Sequence, residues 1–546
     1  MKQITSANNK AEVIFLLRKK GEYRILFTAV MFFISFVIIG MKYFIIAQKQ
    51  TEVRGAEKRS EFTIKVGESQ GTIYDRNMKP LVNQSKIIKA AVVPYAVKKD
   101  EIREYVKDKA EFDERYEKGE PFITELSEKT SETNGITVFE IPERYSENQT
   151  ACHVTGYLSD GKGADGLEYA YDSILRNENG ENSVTYNVDG FGRIMIGDGK
   201  KVTRSTADKS GVVTTIDSDF QRICEEYGRK IKKGAILLAD VKKGDILAMA
   251  SFPTYTDVEK AINDSSSPLI NRNLYSYSVG SIFKLVTTAE AIEEGMSGMM
   301  YDCKGKIDIC GQLFNCHKYD GHGLQNISEA IVNSCNTYFI NLVGTLNTQK
   351  LRYMAYCIGF GRENLLCSGM TGSAGVLPTE EELSVPAELA NFSFGQGKLT
   401  ATPLQITQLT CAIANGGKMS ELRIVKGLTA DGESIVNEKE IRNSRVMEKE
   451  TADKLKRMMI YAVRNNETSN AKSENVSTGA KTSTAQTGQF DKKGNEICNA
   501  WITGFFPSGK PKYALTVLIE DGGYGNDSAA PIFREIAEKI YSTESR

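Results

Sequence analysis

Residues 277 to 294 read Tyr-Ser-Val-Gly-Ser-Ile-Phe-Lys-Leu-Val-Thr-Thr-Ala-Glu-Ala-Ile-Glu-Glu, and the surrounding chain takes its meaning from this stretch. Gly280 supplies a turn, and Ile282, Phe283, Leu285, Val286, Ala289 and Ile292 then recur at helical spacing, which predicts a buried helix from Ser281 onward. Such a helix places Ser281 and Lys284 one turn apart on one face. The hydroxyl sits where helix N-H groups and the positive dipole end favour developing negative charge. That is a nucleophile beside a base. The pattern alone is common, because serine is also a frequent N-cap. Ser-x-x-Lys recurs at Ser159/Lys162 and at Ser469/Lys472, but neither copy opens an apolar helix.

The 546 residues imply two or three domains with a large core. A net charge of -1 provides no basic field, so nucleic acid is not an expected partner. Ten cysteines are too few for a disulfide scaffold, and they lack the paired Cys-x-x-Cys spacing of zinc ribbons. Three histidines leave little for metal chemistry.

Residues 1-24 carry Lys2, Lys10, Arg18, Lys19, Lys20 and Arg24 against Glu12 and Glu22, and read as a cytoplasmic tail. Residues 25-47 are apolar apart from Lys42 and a few small polar residues, long enough to cross a bilayer once. The basic flank predicts an N-terminus inside and everything after the anchor outside the cytoplasmic membrane. A cleaved signal peptide is the rival reading, disfavoured because the segment is long and no small-x-small cleavage site follows it. Residues 48-210 are polar and mixed and read as a pedestal. Gly71-Thr-Ile-Tyr-Asp-Arg and Ala90-Ala-Val-Val-Pro suggest strands there, and the Lys/Glu-rich run from Lys98 to Lys129 a solvated helical face.

The texture changes at 211-546. Gly234-Ala-Ile-Leu-Leu-Ala-Asp-Val and Ile246-Leu-Ala-Met-Ala-Ser predict a hairpin across Lys242-Lys-Gly-Asp. Asn499-Ala-Trp-Ile-Thr-Gly-Phe-Phe and Tyr513-Ala-Leu-Thr-Val-Leu-Ile-Glu predict another, followed by a closing helix begun by Pro531. One antiparallel sheet built from both ends of the domain, with helices between, is an α+β architecture.

Two more polar clusters extend Ser281/Lys284 into a constellation: Ser334-Cys335-Asn336, and Lys481-Thr-Ser-Thr-Ala-Gln-Thr-Gly on a predicted edge strand. The order Ser-x-x-Lys, Ser-x-Asn, Lys-Thr resembles the penicillin-interacting fold. Thr214-Thr-Ile-Asp-Ser-Asp-Phe-Gln, Gly244-Asp-Ile-Leu-Ala-Met-Ala-Ser-Phe-Pro, Phe394-Gly-Gln-Gly, Thr402-Pro-Leu-Gln and Gly522-Gly-Tyr-Gly resemble segments of class B penicillin-binding proteins. So do Gly71-Thr-Ile-Tyr-Asp-Arg-Asn and Gly166-Leu-Glu in the pedestal.

The residues fit acyl transfer. A desolvated Lys284 near another ammonium has a depressed pKa and can take the proton of Ser281. Ser334 can pass a proton between Lys284 and a leaving amine. Asn336 offers an amide to a substrate backbone, and Lys481 with the Thr482 and Thr484 hydroxyls suits a terminal carboxylate. In isolation Ser334 and Asn336 also read as helix caps, Lys481 as a solvated strand charge, and the threonines as ordinary strand formers.

The resemblance implies an oxyanion hole from the backbone N-H groups of Ser281 and Thr484. It also implies a peptidoglycan stem peptide ending in D-Ala-D-Ala as substrate, β-lactams as covalent ligands, a polytopic peptidoglycan glycosyltransferase as partner, and a reaction without cofactor or metal. A weak scaffold for that glycosyltransferase, or a D,D-carboxypeptidase, are the alternatives. Against the family pattern, Val279 stands for the frequent Pro, Gln70 for Arg, and Ala480 and Ser483 for Gly. Ser483 is expected to slow acylation by crowding the nucleophile's turn, so that Ser483→Gly speeds it; the alternative is a backbone relaxed around Ser483, or a hydroxyl bonded to substrate, at no cost. Cys303, Cys310 and Cys316, followed by His317, have the wrong spacing for a metal cluster. A Cys303 to Cys316 disulfide, or plain buried thiols, are expected instead.

Overall fold

The computed structural model describes residues 4-48, 61-146, 148-176, 180-196 and 199-544. Residues 1-3 of the expected tail and 49-60 at the head of the expected pedestal lie outside them. The chain forms two compact units that interleave in sequence: Met1–Val66, Lys89–Phe139 and Ser183–Thr203 make the first, and Gly67–Ile88, Glu140–Asn182 and Arg204–Arg546 the second.

The first unit contains the long helix α1 (Ile4–Gln48), in which Tyr23–Ile46 is long and apolar enough to cross a membrane. Strands Phe122–Leu126, Ser85–Val92 and Ile136–Glu143 form one small sheet, in that order. The Lys/Glu-rich run is two short helices, Lys99–Arg103 and Lys109–Glu117, and a strand. Ile102 and Phe112 turn inward, while Arg103 and Asp113 pair on the outside at 2.8 Å.

The second unit is organised by a five-stranded antiparallel sheet. Its strands are β1 (Gly234–Asp240), β2 (Ile246–Phe252), β3 (Gly479–Phe490), β4 (Glu496–Phe506) and β5 (Tyr513–Ile519), ordered β2-β1-β5-β4-β3. Both predicted hairpins form, and β3 is an edge strand as its sequence suggested. The turn between β1 and β2 is held by Asp240, whose carboxylate accepts the N-H groups of Lys242 and Lys243 at 2.9 and 2.7 Å.

Because side chains alternate along a strand, the sheet buries both faces. Ala235, Leu237 and Ala239 of β1 join one core, and Ile236 and Leu238 the other. The helices that matter for the site are α2 (Ser218–Gly228), α3 (Lys284–Glu293), α4 (Asn336–Val343), α5 (Pro403–Ala414) and α6 (Gly525–Glu544). α2 and α6 share the second core, while α3, α4 and α5 share the first. α5 is buried along its whole length, and its Thr407 and Thr410 hydroxyls meet those of Thr516 and Thr503 at 2.7 and 2.6 Å. The closing helix starts at Gly525, before Pro531, which lies inside it. The first turn is secured upstream, where Asp527 and Ser528 donate to the Tyr524 carbonyl at 3.0 and 3.1 Å.

Segments expected in the pedestal also belong to this unit. Thr72–Tyr74 pairs in parallel with Gly211–Thr214, which pairs antiparallel with Val425–Thr429. Beside them Arg144 grips the fully buried Glu168 through two bonds of 2.7 and 2.6 Å and donates to the Gly71 carbonyl at 2.6 Å. Arg144 thus pairs with the glutamate of Gly166-Leu-Glu, and Gln70 donates to the Gly161 carbonyl at 3.2 Å. Removing one partner of a buried ion pair strands the other charge, so Arg144→Ala is expected to destabilise the unit by about 3-5 kcal/mol. Thermal unfolding of the variant checks this, and an unchanged midpoint would refute it.

Candidate active site

Ser281 does not open the α-helix as the apolar pattern predicts. It lies in a 3-10 turn, Gly280–Ile282, and the α-helix begins at Lys284. Gly280 has φ 62°, donates to the Gly395 carbonyl at 2.8 Å, and accepts from Phe283 N-H at 3.0 Å, which tightens the chain into an i to i+3 turn. A Cβ on Gly280 would lie 2.4 Å from Ser483 Oγ and 3.2 Å from Ala485 Cα, so this glycine lets the turn meet β3. The Phe394-Gly-Gln-Gly motif serves the same approach from the other side, since a Cβ on Gly395 would lie 2.1 Å from the Gly280 carbonyl oxygen.

The tighter turn still brings the predicted pair together. Lys284 Nζ lies 3.0 Å from Ser281 Oγ, 2.6 Å from the Ser334 carbonyl, 3.3 Å from Ser334 Oγ and 2.8 Å from Asn336 Oδ1. Asn336 is the first residue of α4, and Ser334 two residues before it has φ 48°, a left-handed conformation uncommon outside glycine. From β3, Lys481 Nζ reaches Ser334 Oγ at 3.1 Å and the Thr482 carbonyl at 2.9 Å. Strand alternation leaves Thr482 and Thr484 half-exposed while Lys481, Ser483 and Ala485 are buried. Thr484 Oγ1 accepts from Gly525 N-H at 3.3 Å at the head of α6. Every residue expected in the site is thus in one place, whereas Ser159/Lys162 form a small surface hairpin and Ser469/Lys472 a loop turn.

Electrostatics follow from burial. Lys284 is fully buried, and desolvation, then the nearby Lys481 ammonium, hold its pKa well below the ordinary lysine range. Burial also lowers Lys481, to about 8. A neutral Lys284 amine has a lone pair for the Ser281 proton. A protonated Lys481 offers positive charge beside the half-exposed threonines. This arrangement suits serine acyl transfer onto a ligand bearing a carboxylate.

Ser483 departs from the sequence expectation. Its buried hydroxyl donates to the Val279 carbonyl at 2.9 Å and so ties β3 to the residue before the nucleophile's turn. The side chain therefore has a hydrogen-bond partner at this seam, which the crowding argument did not include. At Cys303 and Cys316 the second of the two readings, buried thiols, is the one found. All ten are free thiols, so the Cys303 to Cys316 disulfide is absent. Cys303 and Cys316 are buried beside Cys335 and His322, which the sequence reading did not group with them, while Cys310 is exposed.

Residues 234–538 match the family model for the penicillin binding protein transpeptidase domain, more than half of the chain. The chain belongs to the penicillin-binding protein transpeptidase family, in its class B branch. It is 28% identical to stage V sporulation protein D of Bacillus subtilis, with 95% of this chain and 85% of that protein covered. It is 24% identical to the peptidoglycan D,D-transpeptidase MrdA of Haemophilus influenzae, over 86% of this chain and 84% of that one. Among solved structures, the D,D-transpeptidase domain of a peptidoglycan glycosyltransferase from Eggerthella lenta shares the fold at a TM-score of 0.64, with 22% identity over 88% of this chain and 99% of that one. Penicillin-binding protein PBP2 of Helicobacter pylori, solved with MreC, does so at 0.65, with 21% identity over 89% and 99%.

In this penicillin-binding protein the Ser483 bond makes a test. Ser483→Gly removes one hydrogen bond of about 1 kcal/mol and loosens β3 against the turn. The second-order rate of acylation by penicillin is expected to stay level or fall by up to about fivefold. A rise in rate would restore the crowding interpretation.

Proposed function

We propose that the chain is a membrane-anchored serine D,D-transpeptidase that cross-links peptidoglycan stem peptides ending in D-Ala-D-Ala, with Ser281 as nucleophile. The observation that carries the assignment is the buried Lys284 amine, 3.0 Å from Ser281 Oγ and bonded to both ends of Ser334-Cys335-Asn336.

Neutral Lys284 accepts the Ser281 proton as Oγ attacks the penultimate carbonyl carbon. Backbone N-H groups of Ser281 and Thr484 take the oxyanion charge. The amide C-N bond then breaks. Its nitrogen leaves with a proton relayed from Lys284 through Ser334 Oγ, 3.3 Å away, and D-alanine departs. An amine of a neighbouring stem peptide attacks the acyl-serine, gives its proton back along the same path, and frees Ser281 with a new amide bond. Asn336 aligns the substrate backbone. Lys481, Thr482 and Thr484 hold the terminal carboxylate. A β-lactam enters the first half of this cycle, its ring nitrogen taking the place of the leaving amine.

The apolar helix is the anchor, with the N-terminus in the cytoplasm and the second unit outside, where the substrate lies. A polytopic peptidoglycan glycosyltransferase is the proposed partner, which would deliver glycan strands beside the cross-linking site. Residues 25-47, 48-210 and 211-546 are the proposed anchor, pedestal and transpeptidase regions.

Fluorescent penicillin should label the chain, with the adduct mass on Ser281. Ser281→Ala is expected to abolish labelling, and persistent labelling would sink the assignment. Lys284→Ala should slow acylation by about 10²- to 10⁴-fold, the usual contribution of a positioned base. Near-normal rates would point to another base.

The pH profile tests the two lysines separately. Activity needs Lys284 neutral, and its lowered pKa brings that form to pH values well below the ordinary lysine range. It also needs Lys481 protonated, a form lost as pH rises through about 8. The second-order rate reports the free protein, so it is expected to fall above about pH 8. A rate that climbs steadily with pH would remove Lys481 as the carboxylate's partner. For topology, external protease acting on intact spheroplasts should digest the second unit, and full protection would refute the orientation.

A further inference from the structure

The two proposed oxyanion donors, the N-H groups of Ser281 and Thr484, come from a 3-10 turn and from β3, elements far apart in sequence. Negative charge develops at one point in the transition state, so the spacing of these donors has to be held closely. The residues just ahead of the turn show what holds it. Tyr277–Ser278 is a short strand paired with Thr400–Ala401, and Val279, at φ -90° and ψ -45°, bends the chain into the turn. In an extended strand successive carbonyls point to opposite sides, whereas the helical value at Val279 turns the Ser278 and Val279 carbonyls the same way. Both meet the sheet. Val279 accepts from Ser483 Oγ at 2.9 Å, and Ser278 accepts from Trp501 Nε1 at 3.1 Å. Ser483 and Trp501 lie directly opposite each other on β3 and β4, so one cross-strand pair grips two successive carbonyls ahead of the nucleophile.

Trp501 is itself firmly held. It is the chain's single tryptophan and is fully buried, in the core shared by Val279, Ile282 and Phe283. Its ring meets that of Tyr277 edge to face, with centroids 6.2 Å apart and planes at 77°. The Tyr277 hydroxyl donates to Glu520 Oε1 at 2.8 Å, and the same oxygen accepts from the buried Arg272 Nε at 2.8 Å. Gly525 closes over the strand pair, since a Cβ there would lie 2.3 Å from the Ser483 carbonyl oxygen and 2.5 Å from that of Trp501.

A buried indole N-H needs some acceptor, so the bond by itself is ordinary. Its place is what matters. The acceptor lies three residues ahead of Ser281, and the donor's cross-strand neighbour lies next to Thr484. An apolar side chain of the same shape would fill the core equally well, but would take this donor from the Ser278 carbonyl.

We propose that Trp501 is a positioning residue for acylation: its indole N-H, beside the Ser483 hydroxyl, fastens the residues ahead of Ser281 to β3 and β4 and so sets the spacing of the two oxyanion donors. Trp501 touches no reacting atom. Without its N-H the turn is free to shift against β3, and the Ser281 N-H moves relative to that of Thr484. The loss falls on the transition state rather than on ligand binding, because the carboxylate's partners Lys481 and Thr482 lie on β3 itself and do not move with the turn. The role rests on the transpeptidase assignment above.

The test uses the full-length chain in detergent. Because there is one tryptophan, expression in a tryptophan auxotroph exchanges position 501 alone. Benzothienylalanine keeps the bicyclic shape and puts sulfur where the N-H was, a ring-fluorinated tryptophan keeps the N-H, and Trp501→Phe removes it by mutation. Rapid-mixing kinetics with a chromogenic cephalosporin separate the acylation rate constant from the dissociation constant of the complex that precedes it. The benzothienyl protein and Trp501→Phe are expected to acylate at least about fivefold more slowly, one neutral hydrogen bond expressed wholly in the transition state, with the dissociation constant unchanged within about twofold. The fluorinated protein should keep the wild-type rate constant. Infrared difference spectra with an isotope-labelled β-lactam carbonyl should place the acyl-ester band at higher wavenumber in the two proteins without the N-H, the mark of weaker hydrogen bonding in the oxyanion hole. A core-filling role alone moves neither readout in the benzothienyl protein. An unchanged rate constant overturns the proposal, as does a loss confined to the dissociation constant, slow acylation with the band in place, or a fluorinated protein as slow as the benzothienyl one. Labelling that survives Ser281→Ala would instead overturn the transpeptidase assignment on which the proposal rests.

Discussion

A lysine amine held out of water among oxygen atoms is the constraint on which the rest of the second unit depends. Placing an ammonium in a dry interior is costly, and a second ammonium nearby raises the cost, so both effects favour the neutral amine at Lys284. The dryness comes from α3, whose residues from Lys284 to Ile292 are buried, and from the Phe339 and Phe394 rings, with centroids 5.7 and 5.9 Å from Nζ. Neutrality alone does not make a base. The lone pair must also face the hydroxyl, and the Ser334 carbonyl and Asn336 amide fix the amine's remaining directions.

The sheet serves that constraint by bringing β3 close to the nucleophile's turn. β3 lies at one end of the strand order and pairs only with β4, so its other flank is not taken up by a strand of the sheet. Close approach there rests on missing side chains: Gly280 against Ser483 and Ala485, Gly395 against the Gly280 carbonyl, and Gly525, where a Cβ would lie 2.3 Å from the Ser483 carbonyl oxygen. Ser483 is the one added side chain at this seam, and it is accommodated because its hydroxyl has the Val279 carbonyl to bond.

Much of this was legible in the sequence, and the misses share a cause. Hairpins, the edge strand and the polar clusters are local patterns, so Ser281/Lys284, Ser334/Asn336 and Lys481 could be read before any fold was known. The start of the helix could not, because the 3-10 turn at Ser281 is set by Gly395 and β3, which are distant in sequence. Pro531 suggested a helix start by its preference for the first turn, but the bonds to the Tyr524 carbonyl had already begun the helix. Arg144 facing Glu168 and His322 facing Cys303 likewise depend on tertiary contact. At the cysteines, spacing along the chain does not show that Cys303 and Cys316 meet His322 and Cys335 in space while Cys310 is exposed.

The two halves of the site face different physical demands, and the fold separates them accordingly. Lys481 must carry charge while buried, and a strand in a five-stranded sheet gives it a rigid base and a backbone carbonyl, that of Thr482, for one proton. Ser334 must instead be held in a left-handed conformation that costs about 1-3 kcal/mol and that nothing in its own side chain favours. Its neighbours supply the restraint: Ser334 N-H donates to the Ile331 carbonyl at 3.2 Å and Cys335 N-H to that of Ala330 at 3.0 Å, while Cys335 Sγ caps α4. These bonds fix the backbone on one side of the turn and the helix on the other, and the Cys335 side chain, held by Tyr338 N-H, links the two. A change that let Cys335 rotate would move Ser334 and Asn336 together, and with them the cage of the amine, without touching Ser281. The middle position of this Ser-x-Asn motif is therefore constrained by chemistry although it faces away from the reaction.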